Sequence, residues 1–172
     1  MRFTLPALAA AALALVGFLV MPAIALSGDA TIVGFAKKTH PSKGGDDFIE
    51  FTVTKDGPAE VLVLWATSRG QLFLHSGGVR AKPNVDFAPY VGQLFFRAED
   101  TALTFRVPIT PQSTPVSIGE GRSKDFIVGL ALNPLADYGG HTVEFKDGGY
   151  EYAIGQILPC YLQEFNIFGS CQ

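Results

Sequence analysis

The chain has 172 residues, of which 48% are hydrophobic and 17% are charged, and its formal net charge is −3. This length supports one well-buried domain rather than two. Lys and Arg together number 13 against 16 Asp and Glu, and no basic cluster follows any segment, so the sequence lacks the charge pattern of a nucleic-acid-binding protein.

The N-terminal segment is long and apolar. Residues 3–26 carry no charge, and Ala23-Ile24-Ala25 has the small-x-small form that a signal peptidase accepts. We therefore predict a signal peptide over residues 1–25 and an exported protein that is secreted, periplasmic or at the cell surface. The apolar run is also long enough to cross a bilayer as a helix, so a retained membrane anchor is the alternative.

Beyond this segment, apolar residues recur at every second position. The runs Ile49 to Val53, Leu103 to Ile109 and Phe126 to Leu132 have this period, which predicts strands with one buried face. Val61 to Trp65 is continuously apolar, which predicts a strand covered on both faces. Gly- and Pro-containing turns separate these runs, so we expect an all-β protein folded as an antiparallel β-sandwich. A barrel is less consistent with the irregular span 67–84.

Three stretches, EFTVTKDGPAEVLVLWATSRG, VDFAPYVGQLFFRAEDTALTFRVPI and DFIVGLALNPLADYG, resemble in order the strand and turn motifs of the Calx-beta domain family. Their order and spacing match over most of residues 30–157. The resemblance implies an immunoglobulin-like antiparallel β-sandwich of about seven strands, which we place at residues 27–157.

The resemblance also implies a calcium site at one end of the sandwich, since the family gathers acidic residues there. Asp86 matches one family aspartate, Glu120 would match a later glutamate, and Asp125 lies close to it. Hard cations require several oxygen ligands. The sequence departs from the pattern elsewhere, because Lys43 and Lys124 fall close to expected ligand positions.

We therefore expect no functional metal, with one low-affinity calcium site at these acids as the alternative. The other interpretation of Asp86 is that its carboxylate caps the Pro83 to Pro89 turn by accepting hydrogen bonds from backbone amides.

Catalytic signals are few. His40, His75 and His141 are interpreted as exposed loop histidines, and the strings HExxH, GxSxG and GxGxxG do not occur. The sequence therefore predicts a protein that is not an enzyme, with a hydrolase on a sandwich scaffold as a third hypothesis.

The C-terminal residues form a distinct tail over 158–172. Cys160 and Cys171 enclose the short segment YLQEFNIFGS, and in an exported protein this spacing predicts a disulfide. The tail and the strand before it are rich in aromatic residues, which we expect either to cover a sheet edge or to contact a partner. These aromatic residues are Tyr150, Tyr152, Tyr161, Phe165 and Phe168.

Together these features predict an exported, non-enzymatic module for protein–protein interaction or for a structural or adhesive role at the cell envelope. Its partner would be another envelope or extracellular protein, and it would meet a membrane only through a retained N-terminal anchor. The alternative is a ligand- or carbohydrate-binding module with one calcium ion.

Overall fold

A computed structural model describes residues 30–42, 45–68, 79–116, 122–133 and 135–161. Residues 1–25, the predicted signal peptide or anchor, lie outside these ranges. Within them there is no helix long and apolar enough to cross a membrane. The described residues form twelve strands: β1 (Thr31–Phe35), β2 (Thr39–Pro41), β3 (Phe48–Asp56), β4 (Val61–Ser68), β5 (Val79–Arg80), β6 (Val91–Phe96), β7 (Ala102–Pro108), β8 (Gln112–Val116), β9 (Lys124–Leu132), β10 (Val143–Phe145), β11 (Glu151–Ile157) and β12 (Pro159–Tyr161).

The strands form two sheets and one short pair. The smaller sheet has the order β10-β1-β3-β7, and the larger has the order β2-β11-β9-β4-β6 with β5 also paired to β9. β12 pairs with β8. The framework strands β1, β3, β4, β6, β7, β9 and β11 pair with one another in antiparallel fashion. The predicted all-β sandwich of about seven strands is thus confirmed.

Short strands make both sheets mixed. β10, β2 and β5 each run parallel to their neighbours, and so does β12 against β8. None of these four has more than three residues, which is too few for alternating hydrophobicity to reveal a strand. The additional strands are therefore a structural finding that the sequence pattern does not predict.

The core lies between the two sheets and uses the alternating positions that the sequence predicts. In β3, Ile49, Phe51 and Val53 are buried while Glu50 is exposed. β9 contributes Phe126 and further apolar residues at every second position. Full burial of one such side chain contributes roughly 1.5–3 kcal/mol, so burying the alternate residues favours two facing layers.

A stack of aromatic rings joins the sheets. Trp65 on β4 is 6% exposed, as its predicted core position requires. Its ring lies 4.0 Å from Phe105 and 5.8 Å from Tyr90, nearly parallel to both. Phe105 in turn stacks on Phe51 at 5.4 Å. Stacked pairs add about 0.5–1.5 kcal/mol beyond the burial of their area.

A glycine allows another core ring, that of Phe126, to lie close to the backbone. Phe126 stacks on Phe87 at 4.6 Å, and the backbone of Gly155 on β11 lies against its edge. A Cβ at Gly155 would be 2.5 Å from Cζ of Phe126. A side chain at residue 155 would occupy the space of this ring, so the ring can lie over residue 155 only because that residue is glycine.

Two buried charged residues tie separate turns together. The Nζ of Lys55, a residue only 3% exposed, donates hydrogen bonds to the carbonyl oxygens of Ala59, Arg97 and Ala98 at 3.0, 2.7 and 2.8 Å. An ammonium group has three donors, and all three are used. Lys55 therefore holds the β3–β4 turn against the β6–β7 turn.

Glu151 is the second of these residues, and its side chain is fully buried. Its Oε1 accepts hydrogen bonds from the backbone N–H of Phe35 and from Nζ of Lys38, both at 2.7 Å. Lys38 also contacts Asp147 at 2.6 Å. Burial lowers the pKa of Lys38, but its hydrogen bonds to the two carboxylates and their charges outweigh this effect and raise it above 10.5.

The tail begins with the short strand β12. In the β12–β8 pair, Pro159 aligns with Gln112 and Tyr161 with Val116, and Cys160 between them is fully buried. Cys171 lies outside the described residues, so the disulfide from Cys160 remains a prediction.

Candidate functional site

The turn between β5 and β6 fixes the position of Asp86. Its Oδ2 accepts a hydrogen bond from the backbone N–H of Lys82 at 2.7 Å, and its own N–H donates to the Lys82 carbonyl at 2.8 Å. Asn84 in the same turn has a φ of 60°, a left-handed conformation that asparagine tolerates. Asp86 thus caps its turn, using the amide just ahead of Pro83.

A lysine forms an ion pair with the other oxygen of this carboxylate. Nζ of Lys124, at the start of β9, lies 2.6 Å from Oδ1 of Asp86, whose side chain is 7% exposed. Burial raises the pKa of Asp86. The hydrogen bonds from Lys124 and from the Lys82 amide, together with the charges of both lysines, outweigh this and lower the pKa below 3.8.

The remaining predicted calcium ligands are placed as follows. Asp125 is buried in β9 directly after Lys124, and its carbonyl accepts a hydrogen bond from Ala81 N–H at 2.8 Å. Glu120 lies outside the described residues. Among those that are described, no three His, Cys, Asp or Glu residues form a group that could hold a metal ion. The structure therefore brings Asp86 to the strand that carries Asp125, with an ammonium group already bound there.

The described histidines are half-buried, so the prediction of exposed loop histidines is wrong for His40, which lies in a strand, and wrong in exposure for His141, which does lie in a loop. His40 lies in β2, half-buried, with its ring 4.6 Å from that of Phe51 and Nε2 2.9 Å from the Lys37 carbonyl oxygen. Burial lowers the pKa of His40, against hydrogen bonds to the Lys37 and Glu50 backbones that raise it. His141 is also half-buried, and His75 lies outside the described residues.

Two of the predicted interaction residues are at the surface. Tyr150, just before β11, is 89% exposed. Tyr152 on β11 is 37% exposed, and Nζ of Lys38 lies 5.6 Å from the centre of its ring. The side chain of Tyr161 is not described, and Phe165 and Phe168 lie outside the described ranges.

The outer face of the larger sheet carries a feature that the sequence does not predict. Trp65 and Leu130 point into the core, so the alternate residues of β4 and β9 point outward. Ala66 on β4 pairs with Gly129 on β9 and with Val91 on β6. Small side chains at the centre and larger ones around them form an open trough across β9, β4 and β6.

This trough has a volume of about 720 Å³ and is almost entirely apolar. We call it the outer trough. A Cβ built at Gly129 would meet no atom within 4 Å, so the space above it is open. The outward residues that line it are Leu64, Ala66, Ser68, Val91, Gln93, Ile127, Gly129 and Ala131.

The outer trough corrects the expectation for β4. Leu64 is 39% exposed, so this strand is not covered on both faces among the described residues. An apolar run looks the same in sequence whether its second face meets the core or the solvent. Burial distinguishes the two, and burial depends on strands that are distant in the chain.

Comparison with known proteins supports the fold. The crystal structure of the apo form of the Calx CBD1 domain superimposes with a TM-score of 0.53 at 14% identity, covering 74% of this chain and 96% of that one. The Calx CBD2 domain gives 0.55 at 14% identity, covering 78% and 88%. The calcium binding domain CBD12 of CALX1.1 gives 0.50 at 15% identity, covering 74% and 45%.

The chain has a Calx-beta-like fold. Its sequence matches no family model. One curated relative, the tRNA-specific 2-thiouridylase MnmA of Corynebacterium diphtheriae, is 27% identical over 139 residues, which is 77% of this chain and 35% of that protein. The chain therefore spans about a third of the length of this relative. What the Calx-beta-like sandwich shares with the Calx domains is the arrangement of its strands.

Proposed function

We propose that the protein is an exported, non-enzymatic β-sandwich module that makes protein–protein contacts at the cell envelope, and that the outer trough is its contact surface. The observation that supports this is an uncharged, solvent-exposed apolar surface that crosses β9, β4 and the edge strand β6. Exposed apolar patches of this kind are typical of interaction sites.

The rigidity of the trough favours binding. Its floor, at Ala66 and Gly129, lies on β4 and β9, which pair over six residues in the interior of the sheet. Side chains on paired central strands lose little further freedom when a partner binds. A large apolar side chain of the partner could therefore lie against Gly129 without displacing any group of this chain.

Photo-crosslinking tests this proposal. A benzophenone amino acid at Leu64, on the wall of the trough, should give discrete crosslinked products in cells that express the protein. The substitution Gly129→Glu should abolish them, since it places a charge on the trough floor. The matched control carries the same amino acid at Thr104, an exposed position of β7, and should not give these products. Equal products at both positions, or products insensitive to Gly129→Glu, would count against the trough.

The non-enzymatic part of the proposal rests on the fold and on the few catalytic signals of the sequence. The printed activity of the MnmA relative concerns a protein of which this chain spans about a third. The net charge of −3 does not favour a tRNA-binding role. We therefore infer a protein partner rather than a nucleic acid.

The alternative, binding of a ligand or carbohydrate with one calcium ion, is favoured by the exposed ring of Tyr150. Its calcium component requires Asp86, whose carboxylate Lys124 already contacts. Thermal melting with and without millimolar calcium tests it, because a ligand that binds the folded state raises the melting temperature. A rise that Asp86→Asn removes would establish the calcium site, and no rise would exclude a calcium-dependent mechanism.

A further inference from the structure

We propose that two copies of the chain associate through their β6 strands, antiparallel about a twofold axis at Gln93, so that the two larger sheets become continuous. This inference concerns the edge of the sheet and does not rest on the role proposed for the outer trough, although Val91 and Gln93 belong to both surfaces. It rests on the composition of β6, on the direction of its backbone groups and on the self-complementarity of its side chains.

β6 is the last strand of the larger sheet in the described part of the chain. Proteins usually protect such edges with charged residues or proline, because an unprotected edge can pair with another chain. The other three sheet edges follow this rule: β2 contains Pro41, β10 contains Glu144, and β7 contains Arg106 and Pro108. The sequence of β6 is VGQLFF, which contains neither a charged residue nor a proline.

The hydrogen-bond pattern of β6 shows which of its residues face the open edge. The N–H of Thr67 donates to the carbonyl of Tyr90 at 2.9 Å, so Tyr90 bonds toward β4. In an antiparallel pair the bonding direction alternates along each strand. Val91, Gln93 and Phe95 therefore direct their N–H and C=O groups away from β4, toward the edge.

These three residues also share one face of the sheet, since they are two positions apart. Val91 is 76% exposed and Phe95 is 54% exposed. A second β6 placed antiparallel about Gln93 would align Val91 with Phe95 of the second copy, and Gln93 with its own equivalent. The outward backbone groups would then form the closely spaced hydrogen-bonded pairs of an antiparallel ladder.

Side-chain chemistry agrees with this register. Each Val91–Phe95 pair would join a β-branched side chain to an aromatic one, a favourable cross-strand combination. The two Gln93 amides would meet at the axis, where each can donate to the other. The strand is thus complementary to itself in its backbone and in its side chains, which identifies a second copy as the occupant of the edge.

The first test measures the mass of the full chain, recovered as its host processes it, by light scattering and sedimentation over about two decades of concentration. Wild type is expected to be a dimer that dissociates on dilution. Gln93→Lys should raise the dissociation constant at least about tenfold, because like charges directly opposite each other on paired strands repel.

Thr104→Lys is the matched control, since residue 104 is exposed on the edge strand β7 and receives the same charge; it should remain dimeric. A monomeric wild type would overturn the proposal. So would a dimer that Gln93→Lys leaves intact, which would point to another interface.

A second test does not depend on weakening the dimer interface. The Cα atoms of a hydrogen-bonded antiparallel pair lie about 5.5 Å apart, within the range that a disulfide spans. Gln93→Cys should therefore form a covalent dimer under mild oxidation, whereas Thr104→Cys should not. Equal crosslinking of both variants, or capture of a different protein in place of a second copy, would overturn the twofold pairing.

Discussion

Two buried carboxylates, Glu151 and Asp86, are each held by one backbone amide and one lysine. These contacts offset part of the cost of burying a carboxylate, although Oε2 of Glu151 has no hydrogen-bond partner among the described residues. Each carboxylate is also the hydrogen-bond acceptor of a backbone amide, that of Phe35 for Glu151 and that of Lys82 for Asp86. These two residues are therefore the positions where a single polar substitution should have the largest effect.

For Glu151, we expect the substitution Glu151→Ala to lower the free energy of unfolding by about 3 kcal/mol, because it leaves the Phe35 amide buried without its acceptor. Urea unfolding measures this change. Asp147→Ala is the control, since Asp147 contacts the same lysine but is 51% exposed, and it should cost less than about 1 kcal/mol. If both variants lost the same free energy of unfolding, the hydrogen bond from the Phe35 amide to Glu151 would not account for the effect.

For Asp86, the prediction concerns pH. Its folded-state pKa is lowered from 3.8, so the stability it contributes is present above this value and is lost as the pH falls through the folded-state pKa. Asp86→Asn should therefore lower the free energy of unfolding near neutral pH and lose this effect in acid. Urea unfolding across the acid range measures the difference, with Asp56→Asn on an exposed residue as control. A difference that persists in strong acid would contradict the assignment.

At the scale of single strands, two glycines in neighbouring strands of one sheet should respond in opposite ways to alanine. Gly155→Ala should cost about 2 kcal/mol, because Phe126 is fully buried against Phe87 and cannot move away from the new methyl group. Gly129→Ala should be neutral or stabilising by up to about 0.5 kcal/mol, because its Cβ enters open space. Urea unfolding of both variants is the measurement, and equal costs would argue against the close contact between residue 155 and the Phe126 ring.

The strands also show how far the sequence determines the elements. Alternation in β3, β7 and β9 predicted both their type and their buried face, because a half-buried strand has a period that a helix cannot share. β4 was predicted as a strand, but its outward face was not, since Leu62 and Leu64 are apolar on the solvent side. The parallel strands β2 and β10 are three residues long and depend on their neighbours rather than on a local pattern.

For the whole molecule, the predicted disulfide should contribute to stability by closing the tail. Reduction should lower the free energy of unfolding by up to about 3 kcal/mol, since the open chain gains conformational entropy. Thermal melting with and without reductant measures this, and the intact mass of the native protein should be lower by two hydrogens than that of the reduced form. The control Cys171→Ser should melt identically in both conditions. Titration of two free thiols in the native protein would contradict the bond.

The candidate site was less accessible to sequence analysis than the fold. The family resemblance pointed to Asp86 and placed Lys124 close to an expected ligand position, but the contact between the two came only from the structure. The outer trough did not, since Ala66, Val91 and Gly129 come from three strands separated by long stretches of chain. Only the register of β6, β4 and β9 brings them together.

The buried amine of Lys55 offers a way to measure local opening of the protein. Its amine is engaged by three carbonyl groups from two turns, so an acylating reagent can reach it only after the turns separate. Slow acylation at this position would measure how often the two turns separate, while the exposed Lys37 would record the activity of the reagent. The ratio of the two acylation rates would therefore report the opening of these turns under native conditions.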